Sequence, residues 1–256
     1  MVLDVPLPTD SASVFLLVLA RTSAWVLAVP LFAARGVPST VRLCLAVTLS
    51  LFLVPVLGDV DPPATTPEFA VAVVAQVVVG LALGLLTALV LSAVEVAGGF
   101  VDLSSGFSYG AMLDPVSGAQ SAAFARLTSL TFMTLVFVTE GYQSVLAGFV
   151  RSFQALPVGA LPGLAADADR VLGALLSGVF VAALQIGAPL LGVLFLTEVA
   201  LALATRFVPQ ANALVVGLPV KSLVALLAAG GMLAVLPAHV PALVEQAARI
   251  GGEVLR

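Results

Sequence analysis

This sequence is short of charge. Only 9% of its 256 residues are charged, ten basic and fourteen acidic, against roughly 25% in a soluble domain. So few ionised side chains cannot face a globule of 25.9 kDa towards water, which excludes an ordinary soluble fold. The net charge of −4 leaves no basic stripe to neutralise phosphates, so nucleic acid is excluded as a partner. Cys44 is the one cysteine, which rules out an internal disulfide; within its apolar run it reads as a small buried hydrophobe. His239 is the one histidine and lies between Pro237 and Pro241. One histidine, one cysteine and scattered carboxylates do not make a metal site. The phosphate-cradling GxxxxGKS/T loop is missing. No enzyme active site is legible, and neither a metal nor another cofactor is expected.

What is abundant is apolar side chain, 61% of the residues, with a mean hydropathy of +1.20. It is gathered into about six segments, near 12–34, 41–57, 69–97, 122–150, 170–205 and 212–236. A helix needs roughly 20 mainly apolar residues to cross a bilayer core about 30 Å thick. Period-two alternation over ten-residue stretches is absent, so strands are not expected. The fold class is therefore all-α, a membrane-type arrangement of helical hairpins. The opening stretch carries Asp4, Asp10 and Arg21 and does not read as a cleaved signal peptide. No linker separates a second domain, so residues 1–256 read as one helical domain.

The breaks between segments have their own chemistry. Arg35 to Pro38 is a tight turn, with Ser39 or Thr40 placed to cap the next helix. The stretch from Gly58 to Pro67 carries Asp59, Asp61, Pro62 and Pro63 between its ends and reads as a loop that no helix could cross. The stretch from Leu156 to Asp169 reads likewise, with Asp167 or Asp169 able to cap the fifth segment. The 170–205 run would reach about 54 Å as one helix, so Gly187 and Pro189 predict a kink or a helix–turn–helix break. Pro30 should bend the first segment in the same way. Broken helices at membrane depth need protein or a watery cavity over the freed backbone. The basic residues give only a weak topological bias, which again sets the chain apart from an ordinary multi-spanning protein.

Four charges stand inside apolar runs: Arg21, Glu95, Glu140 and Glu198. Glu95 and Glu140 lie near run ends; Arg21 and Glu198 are deeper and read as buried polar contacts to neighbouring helices. Gly80 and Gly84 form a GxxxG pair, continued at the same spacing by Ala88 and Ser92. Such a stripe serves packing within the chain or against another subunit, and both readings stand. The least usual stretch is 98–121, rich in glycine and serine yet carrying Phe100, Phe107, Tyr109, Met112 and Leu113, with a turn at Asp114-Pro115 and a bend at Gly118. It reads as a structured loop or as a gate that packs and then moves.

The last third carries the most specific pattern. Arg206, Pro209, Gln210, Asn212, Gly217, Pro219 and Lys221 make up R-x-x-P-Q-x-N-x-x-x-x-G-x-P-x-K. With Arg21 and Pro30, Arg35 to Pro38, Gly99-Phe100, Gly106-Phe107, Asp114-Pro115, Ala125-Arg126, Leu156-Pro157 and Glu198, all in order, it resembles the FliR family of flagellar biosynthetic export-gate proteins. The resemblance spans most of the chain. It implies a subunit built like a fused FliP and FliQ, assembled with FliP-like and FliQ-like partners and with FlhB-like and FlhA-like export proteins. It implies a place in the bacterial inner membrane, multi-pass, within the flagellar basal body, and unfolded secreted proteins as cargo. The segment near 106–121 matches the family's plug loop, assigning Gly106, Phe107, Tyr109, Met112, Leu113, Asp114, Pro115 and Gly118 to the plug. The 206–221 signature matches a bend between the last helices near the cytoplasmic entrance. Two rivals remain: the homologous subunit of a virulence injectisome, and, in another class, a small-solute secondary transporter with Glu198 in a midplane site.

Overall fold

A computed structural model describes residues 9–33, 37–58, 65–107, 122–160, 168–207 and 213–253. Among these residues all regular structure is α-helical. The elements are α1 Thr9–Ala28, α2 Pro30–Ala33, α3 Ser39–Leu57, α4 Thr66–Leu91, α5 Ala93–Ser105, α6 Ala123–Val138, α7 Gly141–Ala155, α8 Ala168–Phe207 and α9 Ala213–Glu253.

Apolar runs and helices do not correspond one to one. The first run is interrupted where Pro30 follows α1, leaving the apolar helix Ala12–Ala28 below span length. The third run is cut between Leu91 and Ala93, and the fourth at Thr139 and Glu140. Glu140 takes φ 58, a left-handed turn that a continuous helix cannot contain. The fifth run behaves oppositely: α8 is one helix of 40 residues with Pro189 inside it, so the expected helix–turn–helix break does not form. A proline forfeits one backbone bond and clashes locally, which a long apolar helix absorbs without ending. α9 likewise continues for 41 residues through Pro219, Pro237 and Pro241. Among the described residues the roughly six predicted segments become four span-length helices, Ser39–Leu57, Thr66–Leu91, Leu172–Ala204 and Gly217–Ile250, or five when α6 and α7 count as one broken span.

Local caps also differ from expectation. Pro38 occupies the cap position of α3 with no side-chain cap bond, so neither Ser39 nor Thr40 serves there. Thr65 accepts the Glu68 N–H at 3.4 Å, and α4 begins ahead of Pro67. In a first turn proline's missing donor is not needed. The proposed caps Asp167 and Asp169 lie outside the described side chains.

The chain forms two compact units. The first holds α1–α4, α7, the start of α8 and the end of α9; the second holds α5, α6 and the remainder of α8 and α9. In the first unit α1 packs mainly on α4 and on α3. The α4 face that meets α1 carries the GxxxG pair. A Cβ on Gly80 would strike the Arg21 carbonyl oxygen and stand 2.9 Å from the Ala24 Cβ; one on Gly84 would stand 2.5 Å from the Ala28 Cβ. This settles the stripe as packing within the chain, small residue against small residue. Trp25, 1% exposed, stacks on Phe149 of α7 at 4.3 Å, and Phe149 meets Phe153 edge-on. Cys44 is exposed, contrary to the buried reading. The inward residues of α3 are Ala46, Ser50 and Leu53, and Cys44 lies half a turn from Ala46 on the uncovered face. In the second unit α5 packs on α6, with Gly98 so close to α6 that a Cβ would strike Ala125.

Candidate functional site

Three constellations hold several of the residues singled out by sequence, and the described members of each lie within one unit.

Arg21 lies in the first unit, fully buried at 0% exposure. Its Nε donates to Gln76 Oε1 of α4 at 2.6 Å. Nη1 and Nη2 both donate to the Leu156 carbonyl oxygen at 2.9 Å, and Nη1 also reaches the Ser152 carbonyl oxygen at 3.3 Å. The guanidinium stands 4.3 Å over the Phe153 ring. The Ser152 carbonyl lies in the last turn of α7 and also accepts the Leu156 N–H at 2.9 Å, and the Leu156 carbonyl follows directly after the helix end, where partial negative charge gathers. Arg21 thus caps α7 from α1 while Gln76 fixes the plane of its fork.

Glu198 and Lys221 lie in the second unit, one on α8 and one on α9, and form an ion pair at 2.7 Å. Their side chains are 65% and 18% exposed. The buried setting expected of Glu198 is therefore not what the isolated chain has: its carboxylate sits on the surface and draws the more enclosed lysine outward. A pair this open adds little stability by itself. Of the other signature residues, Arg206 is exposed in the last turn of α8, Gly217 is buried where an added Cβ would stand 3.8 Å from Leu201, and Pro219 lies inside α9. Pro209, Gln210 and Asn212 lie outside the described residues.

The third constellation is the root of the proposed plug. Gly106 follows α5 in the left-handed conformation, φ 88, which favours glycine for ending a helix. Phe107 comes next, and its ring meets Phe124 of α6 edge-on at 5.6 Å. Tyr109, Met112, Leu113, Asp114, Pro115 and Gly118 lie outside the described residues. Between the two stems stands Asp102, 2% exposed, whose Oδ1 and Oδ2 accept the N–H groups of Phe124 and Ala125 at 3.0 and 2.9 Å.

Sequence reasoning singled out neither Asp102 nor Gln76. One signal for Asp102 was available: α6 opens after Ala122, which has no side-chain oxygen to cap it. A helix start without a local cap asks for an acceptor from elsewhere, and Asp102 is the acidic residue in the segment leading to the loop. Gln76 gave no such signal, being one polar residue in a long apolar run.

Comparison with known proteins agrees with the ordered pattern. Residues 12–247 match the model of "Bacterial export proteins, family 1". The flagellar biosynthetic protein FliR of Bacillus subtilis (strain 168) is 32% identical over 217 residues, 83% of each chain. That of Pectobacterium carotovorum subsp. carotovorum is 28% identical over 221 residues, 85% of this chain and 83% of its own. The Yop proteins translocation protein T of Yersinia pestis is 29% identical over 151 residues, 59% of this chain and 58% of its own. The chain belongs to family 1 of the bacterial export proteins, the family of the FliR flagellar proteins.

Proposed function

We propose that this chain is a structural subunit of a flagellar type III protein export gate, assembled with FliP-like and FliQ-like subunits into a plugged channel for unfolded proteins. The observation that carries the reading is family membership over residues 12–247. The flagellar system is favoured over the injectisome because the flagellar relatives match over 83% of their length and the Yersinia translocation protein over 58%. The whole chain acts as one gate subunit in the bacterial inner membrane, next to FlhB-like and FlhA-like export proteins, and performs no catalysis. The small-solute transporter has less support, since residues 12–247 match a family of export proteins.

Residues 106–121 form the plug. Glycine and serine let a segment fill a narrow axis, while Phe107, Tyr109, Met112 and Leu113 exclude water and ions. Methionine is deformable and parts readily for a passing chain. The signature at 206–221 belongs near the cytoplasmic entrance of the gate. Two measurements test the reading. Pull-down of the chain from its native membrane recovers two small hydrophobic partners; recovery of the chain alone overturns the gate assignment. Deletion of residues 107–118 leaves the complex assembled but leaky to ions, and an unchanged ion permeability defeats the plug.

A further inference from the structure

Asp102 is a buried carboxylate whose acceptors are both spent on one helix start. Oδ1 takes the Phe124 N–H at 3.0 Å and Oδ2 takes the Ala125 N–H at 2.9 Å. These are the first donors of α6, which no earlier turn can satisfy. The residue in the cap position, Ala122, offers them nothing. Asp102 therefore does from α5 what a local serine or aspartate does in most helices, and it sets a negative charge at the positive end of the α6 dipole.

Neighbouring contacts fix the same joint. One turn before Asp102, Gly98 admits the α6 backbone at a distance no larger residue allows. One turn after Phe124, Thr128 donates to the Val94 carbonyl oxygen at 3.2 Å. Ser105 donates to the Asp102 carbonyl oxygen at 3.3 Å, and Ser222 of α9 donates to that of Ser105 at 3.2 Å. Beyond them Phe107 meets Phe124. Apart from the Ser105–Asp102 bond, which lies within α5, these ties join stem to stem or stem to α9, and the charged one is Asp102.

We infer that Asp102 is a positioning residue of the gate: its carboxylate clamps the α5 and α6 stems together, and the seal of the closed channel depends on that clamp. The inference rests on the plug reading and goes beyond it, since it assigns the seal to a residue outside the plug. With the clamp removed, the two stems separate by small motions, and a plug hung from loose stems no longer closes a narrow axis.

The test compares the assembled complex carrying the parent chain, Asp102→Asn, Asp102→Ala, the 107–118 deletion, and Asp102→Ala combined with that deletion. Assembly is read by co-purification, the clamp by amide hydrogen exchange at Phe124 and Ala125, and the seal by ion leak in cells. Asp102→Ala is expected to speed exchange at both amides about tenfold, the scale of a lost helix cap, and to raise the leak several-fold. Asp102→Asn, which keeps the shape and one good acceptor oxygen, is expected to fall between, and it carries the test if the alanine variant does not assemble. The double variant should leak no more than the deletion alone, because a positioning residue has nothing left to position. Exchange at the parent rate in both variants overturns the clamp. Faster exchange with a parent-level leak, beside a leaky deletion, reduces Asp102 to a helix cap and overturns the positioning role. A double variant that leaks more, or falls apart, assigns Asp102 to something other than the plug. A sealed deletion overturns the plug reading itself, and the exchange data then still report whether the clamp exists.

Discussion

Arg21 takes its partners from three places: Gln76 lies 55 residues away, and Ser152 and Leu156 lie 131 and 135 residues away. All are neutral, so the guanidinium is held by geometry, and its loss leaves no stranded counter-charge. What it does strand is the Leu156 carbonyl and Gln76 Oε1, buried acceptors deprived of their donor at about 1–3 kcal/mol each. Arg21→Ala also opens the space its stem fills beside Phe153. The sum is a large share of the roughly 5–15 kcal/mol that holds a typical domain. Arg21→Ala should therefore lower the thermal midpoint of the detergent-purified protein markedly, and Arg21→Lys should restore part of it through one donor in place of a fork. Equal midpoints for alanine and parent would show that α7 does not depend on this cap. The sequence marked Arg21 as an anomaly, because a charge in an apolar run is conspicuous. It did not mark the partners, since two of them are backbone carbonyls and carbonyls have no residue type to read.

At the scale of elements, what the sequence showed well was composition, and what it hid was where helices stop. Helical class followed from long apolar runs, and the α4 stripe announced a close helix contact. Ends were harder. Pro189, Pro219, Pro237 and Pro241 lie within unbroken helices, whereas Thr139 and Glu140, with no proline between them, end α6. Proline weakens one turn, but a helix ends only where the surrounding packing gains more from a change of direction. The stems followed the same division: the turn of the chain after Ser105 was legible in its glycines, and the Asp102 bonds to the start of α6 were not. The α1–α4 contact offers a direct check. Gly80→Val drives a branched side chain into the Arg21 carbonyl, which is backbone and cannot rotate aside, so α4 must move off α1. Overpacking of this kind costs about 1–3 kcal/mol and sometimes more. Gly99→Ala, by contrast, meets nothing within 4 Å in α5 and removes backbone entropy from the unfolded chain, a gain of about 0.4–1 kcal/mol. The expected result is a sharply reduced steady-state level for Gly80→Val and a level at or above the parent's for Gly99→Ala. Equal levels for both would mean that the small-residue stripe is not a tight seam.

Taken as a whole, the molecule keeps much of its apolar surface uncovered by its own chain. The span-length stretch of α3 is 17% buried and that of α9 22%. Phe52 and Val56 on α3 are 71% and 72% exposed, and Leu227 on α9 is 78% exposed. Apolar surface left in water costs about 25 cal/mol per Å², so these faces are covered by lipid or by other subunits. The two coverings differ in what a tight protein interface excludes. Lipid and detergent are fluid and admit a small apolar reagent, whereas a packed helix contact does not. Cys44, exposed on α3 and without a second cysteine to confuse the signal, is a native probe of this difference. A sister subunit packed on α3 would cover Cys44, which is exposed in the chain by itself. N-ethylmaleimide should then label Cys44 readily in the chain produced alone and slowly in the assembled complex, both in the same detergent so that partitioning of the reagent cancels. Equal labelling would assign this face to lipid and would move the subunit contacts to other helices. A Cys44→Ala chain, carried through the same assembly, supplies the blank, and replacing Phe52 by cysteine in that background extends the measurement two turns along the same helix.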